Sequence, residues 1–388
     1  MQPDKILLIS QGLSQGNKNL QPWRYLIELA NGLKTNGISV SFISDVKLPD
    51  IDGLPFDDYI IINTRGFRRF LWHRYVNMFI EEQKPFLAIW NIGLTSFFQP
   101  HWAYNSNCPS IAIFTSPIYK TRELLKINLL KLIHGWKISL IHIIGSLIPK
   151  YIISKKIQQA PFLYWVTQTN TLAGQLLEHG LSPDKLRIIA PGIDPIWNTK
   201  ANVMNYEIRK RMGFSDDDIV ITYFGSTTPL RGFPLLLDAF KFAIVEQPRL
   251  RLFVIDRTIN HNVNDLIKRN PYRDRIFLLS SWLSPHELAS HVAISDLVAL
   301  PFELLPSDAP LSVLEARSLG IPLVITSIAC LPELGGKHAF IAEPSNPTSL
   351  ARTLLTAAQC DLGNKSSLSE LRNWNQVTED WLSLIRCI

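Results

Sequence analysis

Short apolar runs alternate along the whole chain with segments of helical periodicity, and this alternation restricts the possible folds more than any other feature. Each of twelve runs is rich in β-branched and aromatic residues and is bounded by turn-forming residues, a pattern that predicts a buried parallel strand. The alternation therefore predicts open parallel sheets covered by helices on both faces. The twelve runs are residues 5–10, 38–44, 59–64, 86–92, 111–115, 162–167, 219–225, 250–256, 276–281, 297–302, 323–326 and 340–342.

A polar stretch at residues 195–218 divides these strands into two sets of six. Because about twelve strands are too many for one ordinary sheet, we predict two doubly wound, Rossmann-like α/β domains. The first domain is expected over residues 1–195, an inter-domain linker over 196–217, the second domain over 218–370, and a closing helix over 371–388 that packs back toward the first domain. Ligands of such folds bind at the carboxyl ends of the strands, so we expect the chemistry in a cleft between the domains.

The charge balance indicates which classes of partner to expect. The 388 residues include 39 Lys and Arg against 33 Asp and Glu, which suggests an anionic ligand or surface, with ordinary surface charge as the alternative. No stacking aromatic motif accompanies the basic residues, so we expect no nucleic acid partner. The four cysteines form no CxxC pair, which argues against a zinc site and fits a reducing, cytoplasmic compartment. We expect neither a cleaved leader nor a membrane-spanning helix.

The segment 296–326 has the pattern of a strand, a loop, a helix and a second strand. Ser307 or Asp308 can cap the helix, and Pro310 suits its first turn. Gly320, followed two residues later by a proline, is typical of a helix end. The boundaries of this helix are therefore well marked in the sequence.

Glu315 lies one turn from both Leu311 and Leu319, so its carboxylate interrupts the apolar stripe of that helix. A buried carboxylate needs hydrogen-bond donors to offset its lost hydration, and a structural ion pair with Lys or Arg is one interpretation. The other is a ligand site, because the amino end of a helix offers free N–H groups and a partial positive charge to a phosphate. Glu315, two turns deeper, could then accept hydrogen bonds from ribose hydroxyls.

A second segment, residues 219–240, runs from a strand through a Gly-containing loop into an amphipathic helix. Gly225 allows close approach of the backbone to a phosphate, Ser226 offers a hydroxyl, and Arg231 offers a fork of donors suited to phosphate oxygens. The spacing is not that of a P-loop and lacks its Lys-Ser/Thr pair. ATP hydrolysis of the P-loop type is therefore disfavoured.

Together these segments resemble glycosyltransferase family 4, whose members are retaining, nucleotide-sugar-dependent enzymes of GT-B architecture. The resemblance spans nearly the whole chain and is strongest in PLSVLEARSLGIPLV, residues 310–324, and LPEL, residues 331–334, which are similar to the family's LEA-x-x-x-G-x-P-V-V and P-E-L motifs. Weaker matches are the loop 225–232, the domain-crossing segment 191–194, the opening βαβ pattern in residues 5–40 and the closing helix that begins at Trp374.

The resemblance implies a role for each matching residue. Glu315 would hold the ribose of the donor nucleotide, and Arg231 would neutralise its diphosphate. The backbone amides of Leu311 and Ser312 would contact the phosphate or the sugar. The other donor-site residues implied by the resemblance are Gly225 and Ser226 in the second domain and Gly12 and Gly16 in the first.

The chain departs from the family pattern at three places. The family's acidic motif has a Glu eight residues before the Glu that matches Glu315, but Ser307 occupies that position here and Asp308 follows it. Ser307 and Asp308 are therefore the candidate catalytic residues, although helix capping explains Asp308 equally well. Ser226 replaces an Arg that is frequent after the loop glycine, and residues 111–117 lack a His found in many members. Retaining transfer can proceed without that base if the departing phosphate takes the acceptor proton.

Residues 121–141 place Leu125, Leu129, Leu132, Trp136 and Leu140 at helical spacing, with basic residues on the opposite half. This pattern is typical of helices that lie in the headgroup region of anionic membranes, and a core-facing helix with a solvated back is the alternative. The amino domain of GT-B enzymes holds the acceptor, so a lipid-linked acceptor would require this domain to dock on the inner face of the cell membrane. The membrane-contact candidates are Lys126, Lys131, Trp136 and Lys137.

The resemblance thus implies a hexosyltransferase-type enzyme that moves a sugar from a nucleotide-diphosphate sugar to a glycan or lipid-linked acceptor with retention of configuration. It implies no cofactor and no metal, because side chains and helix ends supply the positive charge. The alternative is a catalytically degenerate GT-B protein that binds a glycan or a partner protein. That alternative is motivated by Ser116, Ser226 and Ser307, which stand where other polar groups are expected.

Overall fold

Two parallel β-sheets, one in each half of the chain, form the framework of the protein. The computed structural model describes residues 5–48, 53–64, 71–98, 108–127, 129–198, 203–257, 262–360 and 371–388. We call residues 5–198 the first half and residues 203–360 the second half. The expected pair of doubly wound, Rossmann-like sheets is confirmed.

The sheet of the first half has seven parallel strands in the described residues. They are β1 (Lys5–Ile9), β2 (Ser39–Ser44), β3 (Asp58–Ile61), β4 (Leu87–Ile92), β5 (Ser110–Phe114), β6 (Tyr164–Thr167) and β7 (Leu186–Ile188). Their order is β3-β2-β1-β4-β5-β6-β7, so the direction of winding reverses between β1 and β4. A cleft forms at such a reversal, outside the carboxyl ends of the strands.

The sheet of the second half has six parallel strands in the described residues. They are β8 (Ile219–Gly225), β9 (Leu250–Asp256), β10 (Ile276–Ser280), β11 (Leu297–Leu300), β12 (Leu323–Thr326) and β13 (Phe340–Ala342). Their order is β10-β9-β8-β11-β12-β13, with the reversal between β8 and β11. The loops that follow β8 and β11 therefore carry the predicted phosphate site.

Helices cover both faces of each sheet. In the first half they are α1 (Trp23–Thr35), α2 (Trp72–Gln83), α3 (Thr121–Leu124), α4 (Leu129–His134), α5 (Trp136–Leu147), α6 (Lys150–Gln159) and α7 (Asn170–Glu178). The later helices are α8 (Val203–Arg211), α9 (Phe233–Glu246), α10 (Asn262–Lys268), α11 (Pro285–Val292), α12 (Leu311–Ser318), α13 (Leu331–Gly335), α14 (Pro347–Gln359) and α15 (Trp374–Ile385).

All twelve predicted strands are present, and the structure adds β7 at the edge of the first sheet. This strand has only three residues, and Arg187 lies at its centre. Both of its end residues, Leu186 and Ile188, remain partly or largely exposed. A short, half-polar edge strand has no apolar run that sequence patterning can detect.

The segment predicted as a linker contains α8, which belongs to the second half. Ile208 and Phe214 are buried in the core of that half. Arg209 donates hydrogen bonds to a carboxylate oxygen of Asp296 and to the carbonyl of Ile294, both at 3.0 Å. The polar composition that suggested an inter-domain linker supplies the charged face of a docked helix.

The single amphipathic helix predicted over residues 121–141 is wrong, because the structure divides this segment into α3, α4 and α5. Leu132 is only 8% exposed and belongs to the core of the second half, whereas Leu125 is 78% exposed. The proposed apolar stripe therefore does not share one face. A Cβ at Gly135, which precedes α5, would lie 2.3 Å from a methyl carbon of Leu230, so this break lies where the segment contacts the second half.

Within the described ranges, no helix taken alone has the length and apolar composition needed to cross a bilayer. Residues 138–147 of α5 and residues 150–159 of α6 meet those two criteria only as a pair, and the pair is bent by 98°.

The last helix, α15, packs on α1 of the first half. Trp381 is fully buried there, and its indole N–H donates a 2.8 Å hydrogen bond to the hydroxyl of Tyr25. Just before α15, Asn373 pairs with Ile193 in a parallel bridge. The segments around Ile193 and Asn373 thus lie side by side where the chain passes between the halves, and we call them the hinge region.

Replacement of Trp381 by Ala should lower the free energy of unfolding by about 3–5 kcal/mol, because it opens a large cavity and removes the hydrogen bond to Tyr25. Chemical denaturation followed by circular dichroism measures this loss. Trp282→Ala is the matched control, since that indole is 69% exposed and its removal should change stability by less than about 0.5 kcal/mol. Equal effects of the two substitutions would contradict the packing of α15.

Candidate active site

A cleft of about 1120 Å³, open to solvent, lies between the two halves. In the part of the chain that the structure describes, the first half contributes the loop between β1 and α1. The second half contributes the loops that follow β8, β9, β10 and β11 together with the start of α12. Residues lining it from the first half are Gln15, Gly16, Asn19, Leu20 and Gln21. Those from the second half are Phe224, Gly225, Ser226, Arg231, Arg257, Trp282, Phe302, Leu305, Pro306, Ser307, Pro310, Leu311, Ser312 and Glu315.

Arg231 lies at the amino end of α12. Its guanidinium donates a 3.2 Å hydrogen bond to the hydroxyl of Ser312 and stacks over the ring of Phe302, 4.8 Å from the centroid. Within the described residues it forms no salt bridge, and burial lowers the pKa of this guanidinium from its ordinary value. Charge without a carboxylate partner, beside the free N–H groups of a helix end, is an arrangement that favours an anion.

Gly225 allows Arg231 to take this position. Its φ of +123° lies in a region that residues with a side chain rarely adopt. A Cβ at Gly225 would also lie 3.3 Å from the guanidinium carbon of Arg231. The glycine that ends β8 therefore has two effects: it allows the backbone to turn there, and it leaves room for the Arg231 guanidinium.

Glu315 points to the same cleft from one turn further along α12, where its side chain is partly exposed. Burial raises the pKa of Glu315 to about 7; the positive charge of Arg257 opposes this shift, and the negative charge of Asp194 adds to it. Asp194 itself is held in the hinge region, where it accepts hydrogen bonds from Arg24 at 3.3 Å and from the indole of Trp374 at 2.9 Å. Among the described residues, no side chain forms a hydrogen bond or salt bridge with the Glu315 carboxyl, which is therefore available to a ligand.

Seven of the eight predicted donor-site residues line this cleft, and Gly12 does not. The backbone N–H of Gly12 donates to the carboxylate of Asp45 at 2.7 Å, and its carbonyl accepts from the amide of Asn17 at 2.7 Å. Its φ of +77° explains why a glycine stands there. Gly12 therefore lies outside the lining of the cleft with its amide already engaged, and its contact with a diphosphate stays a prediction, whereas Gly16 faces open space at the cleft.

The two candidate catalytic residues lie in different environments. Ser307 lines the cleft, and its buried hydroxyl oxygen has no hydrogen-bond partner in the described ranges. Asp308 is 1% exposed and faces the first half, where the Thr169 hydroxyl lies 2.9 Å from both carboxylate oxygens. Its backbone N–H also donates to the carbonyl of Thr115. Asp308 thus neither lines the cleft nor caps α12, whose first turn follows Pro310 without a side-chain cap.

Two further carboxylates of the second half are bound by the first half. Glu333 accepts four hydrogen bonds of 2.7–2.8 Å from the backbone and side chains of Asn170 and Thr171, at the amino end of α7. Glu303 is fully buried and pairs with Lys131 at 2.5 Å. Together with Asp308, these carboxylates fix the two halves to each other beside the cleft.

The salt bridge with Glu303 corrects the membrane prediction for Lys131, because this ammonium group is directed at the fully buried carboxylate of Glu303 in the second half. Lys126 and Trp136 are exposed, as a membrane contact requires. The side chain of Lys137 lies outside the described residues. The basic face that periodicity predicted is thus divided between an internal ion pair and the surface.

Among the side chains at the cleft that sequence reasoning missed, Arg257, Trp282 and Gln21 carry polar groups suited to a ligand. Arg257 directly follows β9, and Trp282 follows β10 by two residues. Both positions could have been found from the rule that ligands meet the carboxyl ends of parallel strands. Gln21 gave no such signal: its side-chain nitrogen and oxygen are both buried at the cleft and have no hydrogen-bond partner among the described residues.

No cluster of three or more His, Cys, Asp or Glu side chains in the described ranges has an arrangement that could hold a metal ion.

Residues 205–373 match the model of a family described as glycosyl transferases group 1. The chain also resembles D-inositol 3-phosphate glycosyltransferase of Stackebrandtia nassauensis, with 28% identity over 177 residues, which cover 43% of this chain and 39% of that protein. The chain thus matches well under half the length of this curated relative. The match to this family thus lies after the first half and covers most of the second half.

Solved structures show that the fold extends over the whole chain. HepE from Anabaena, in complex with UDP and glucose, superposes with a TM-score of 0.70 at 15% identity, covering 99% of this chain and 100% of that one. WaaG, a glycosyltransferase involved in lipopolysaccharide biosynthesis, superposes with a TM-score of 0.69 at 12% identity, covering 98% and 99%. The two-domain GT-B architecture is therefore confirmed.

The buried carboxyl of Asp308 should make stability depend on pH. Burial raises its pKa to about 7, against about 3.9 in an unfolded chain, so the folded state holds the proton more tightly. The stability that this group contributes is present below about pH 4 and is lost as pH rises through about 7. Relative to the isosteric, neutral Asp308→Asn variant, the wild type should therefore lose stability between about pH 5 and pH 8.

Thermal midpoints of the two proteins across this pH range measure the effect. Thr169→Val removes the hydroxyl that stabilises the carboxylate and should move the loss to higher pH. A constant difference between wild type and Asp308→Asn at every pH would show that Asp308 is not buried as described.

Proposed function

We propose that the chain is a glycosyltransferase that moves a sugar from a nucleotide-diphosphate sugar to an acceptor with retention of configuration. The observation that carries this proposal is the cleft in which unpaired Arg231, the amino end of α12 and the free carboxyl of Glu315 come together. The group 1 domain in the second half supports it. The names of the relatives, and the UDP and glucose bound by HepE, support a nucleotide-sugar as donor.

In this proposal the donor lies along α12. The diphosphate meets the N–H groups at Leu311 and Ser312 and the guanidinium of Arg231, which together neutralise its charge without a metal. Glu315, deeper on the same helix, accepts hydrogen bonds from the ribose hydroxyls. The order of phosphate and ribose along the helix then directs the sugar toward Ser307 and the first half.

The transferred sugar meets polar groups from both halves. The Ser307 hydroxyl and the Gln21 amide are buried at the cleft without partners, and sugar hydroxyls can satisfy both. The acceptor oxygen forms its bond to the anomeric carbon on the face from which the phosphate oxygen departs. The bond from that carbon to the phosphate oxygen breaks, and the departing phosphate takes the acceptor proton. No side-chain base is needed for this step.

The acceptor enters from the first half, and we propose a glycan or a lipid-linked glycan precursor. WaaG takes part in lipopolysaccharide biosynthesis, and another relative over 43% of this chain is the O-antigen biosynthesis glycosyltransferase WclY of Escherichia coli. We place the protein in the cytoplasm, peripheral on the inner face of the cell membrane, where such acceptors are presented.

Glu315→Ala and Arg231→Ala should each weaken binding of the preferred nucleotide-diphosphate sugar by about tenfold to a hundredfold. Loss of a hydrogen bond to a charged group costs about 1.5–3 kcal/mol, which corresponds to that range. A thermal-shift panel of UDP-, GDP- and ADP-sugars identifies the donor, and calorimetry then gives the affinities. Glu246→Ala and Arg249→Ala, at exposed positions on and after α9, are the matched controls and should bind as the wild type does.

If both cleft variants bound every donor as tightly as the wild type, the proposed donor site would be excluded. If the wild type bound a donor yet neither hydrolysed nor transferred its sugar to any glycan acceptor, the proposed activity would be wrong.

Binding should also depend on the ionisation of Glu315. Only the carboxylate accepts two ribose hydroxyl hydrogen bonds, and burial raises the pKa of Glu315 to about 7. Affinity for the nucleotide-sugar should therefore rise by about tenfold from about pH 6 to pH 8. A nucleotide-sugar suits this titration because its diphosphate is esterified at both ends and does not titrate near neutral pH. The Glu315→Gln variant should lose this dependence, and a variant that retained it would exclude Glu315 as the titrating group.

A further inference from the structure

Exposed apolar side chains are concentrated in one short part of the first half. Of the 21 large apolar side chains that are exposed in the described residues, nine lie between positions 125 and 152. Most monomeric soluble proteins scatter such residues singly over their surface. Their concentration here indicates a contact with an apolar phase or partner.

Helix α5 is inverted relative to an ordinary surface helix. Trp136, Leu140, Ile144 and Leu147 follow one another at helical spacing and are all exposed, Leu147 by 65%. On the opposite side, Ser139 and His142 are each 2% exposed. The polar residues of α5 thus face the protein and its apolar residues face outward. Such a helix is suited to contact with an apolar phase outside the protein. We call Trp136, Leu140, Ile144 and Leu147 the α5 face.

The charge of the same segment identifies the partner. Residues 120–156 contain eight Lys and Arg and a single Glu, whereas the rest of the chain has 31 Lys and Arg against 32 Asp and Glu. The positive net charge of the protein therefore arises in this segment. Lys126 before α5 and Lys150 and Lys155 after it are exposed. A second copy of the chain would bring two such basic segments together, which like-charge repulsion opposes.

We propose that the α5 face docks the protein on an anionic lipid bilayer, with Lys126, Lys150 and Lys155 at the lipid headgroups. An apolar helix face inserted at the headgroup boundary, with basic residues beside it, is the physical arrangement of interfacial helices. Leu125 and Tyr151, exposed by 78% and 71%, extend the apolar surface on either side of α5.

The docking surface is connected to the cleft through short contacts. The hydroxyl of Tyr119 exchanges hydrogen bonds of 2.8 and 3.2 Å with the backbone of Leu305, which lines the cleft. Lys131, next to α5, pairs with Glu303 in the same loop. Docking through α5 would thus act on a segment that directly contacts the loop after β11, which lines the cleft. This inference rests on the proposed function for its purpose, the capture of a lipid-linked acceptor, but the docking itself is testable without it.

The test is co-sedimentation with vesicles of phosphatidylcholine alone and of phosphatidylcholine with about one third phosphatidylglycerol. The wild type should bind the anionic vesicles, and Trp136→Glu/Leu147→Glu should lower the partition coefficient by at least about tenfold. The matched control is Phe242→Glu/Val245→Glu on α9 of the second half, where both side chains are also exposed, and it should bind as the wild type does. Lys126→Glu/Lys150→Glu should weaken binding to anionic vesicles, and about 1 M salt should do the same to the wild type.

The proposal is overturned if the wild type binds neither vesicle, if it binds both equally, or if the α5-face variant binds as tightly as the wild type. It is also overturned if light scattering shows a wild-type dimer that the α5-face variant dissociates, because the occupant is then a second copy. Circular dichroism and the nucleotide-sugar thermal shift, measured on the same variants, show that they are folded. If nucleotide-sugars caused no thermal shift in the wild type, the proposed function would be contradicted, but the vesicle result would still support the docking.

Discussion

The guanidinium of Arg231 at the amino end of α12 is the constraint on which the rest of the cleft depends. It is held by Ser312 and Phe302, forms no ion pair in the described residues, and needs the missing side chain of Gly225. Burying a positive charge that has no carboxylate partner costs free energy. The Arg231 guanidinium therefore favours binding of an anionic ligand, which would neutralise it. The loops after β8 and β11 converge on this one cation, and Glu315 extends the site from it along α12.

The carboxylates beside the cleft have the opposite character, because the protein satisfies each of them. Glu333 is held by donors at the start of α7, Glu303 by Lys131 and Asp308 by the Thr169 hydroxyl. Second-half acceptors thus meet first-half donors at every one of these contacts. Inside the cleft a cation is available to the ligand, whereas beside the cleft the carboxylates join the two halves.

Most of the fold could be predicted from local signals, because each β-branched run marks its own strand. The Gly225–Arg231 loop and Glu315 could also be found, because each lies in a short segment whose pattern can be recognised without the rest of the chain. Asp308 and Lys131 could not be placed in this way. Their partners Thr169 and Glu303 are 139 and 172 positions away, and only the assembled halves bring them together. The helix breaks between residues 121 and 147 have the same origin, since contacts with the second half overrode a helical period that was present in the sequence.

The position of α15 has a consequence for the order in which the protein is built. Its Trp381 covers Tyr25 of α1, so two residues 356 positions apart complete one hydrophobic core. During synthesis α1 leaves the ribosome early and must wait for α15 before this surface is closed. The first half therefore cannot complete this hydrophobic core by itself, and the nascent chain exposes an apolar surface on α1 until α15 has emerged from the ribosome and docked.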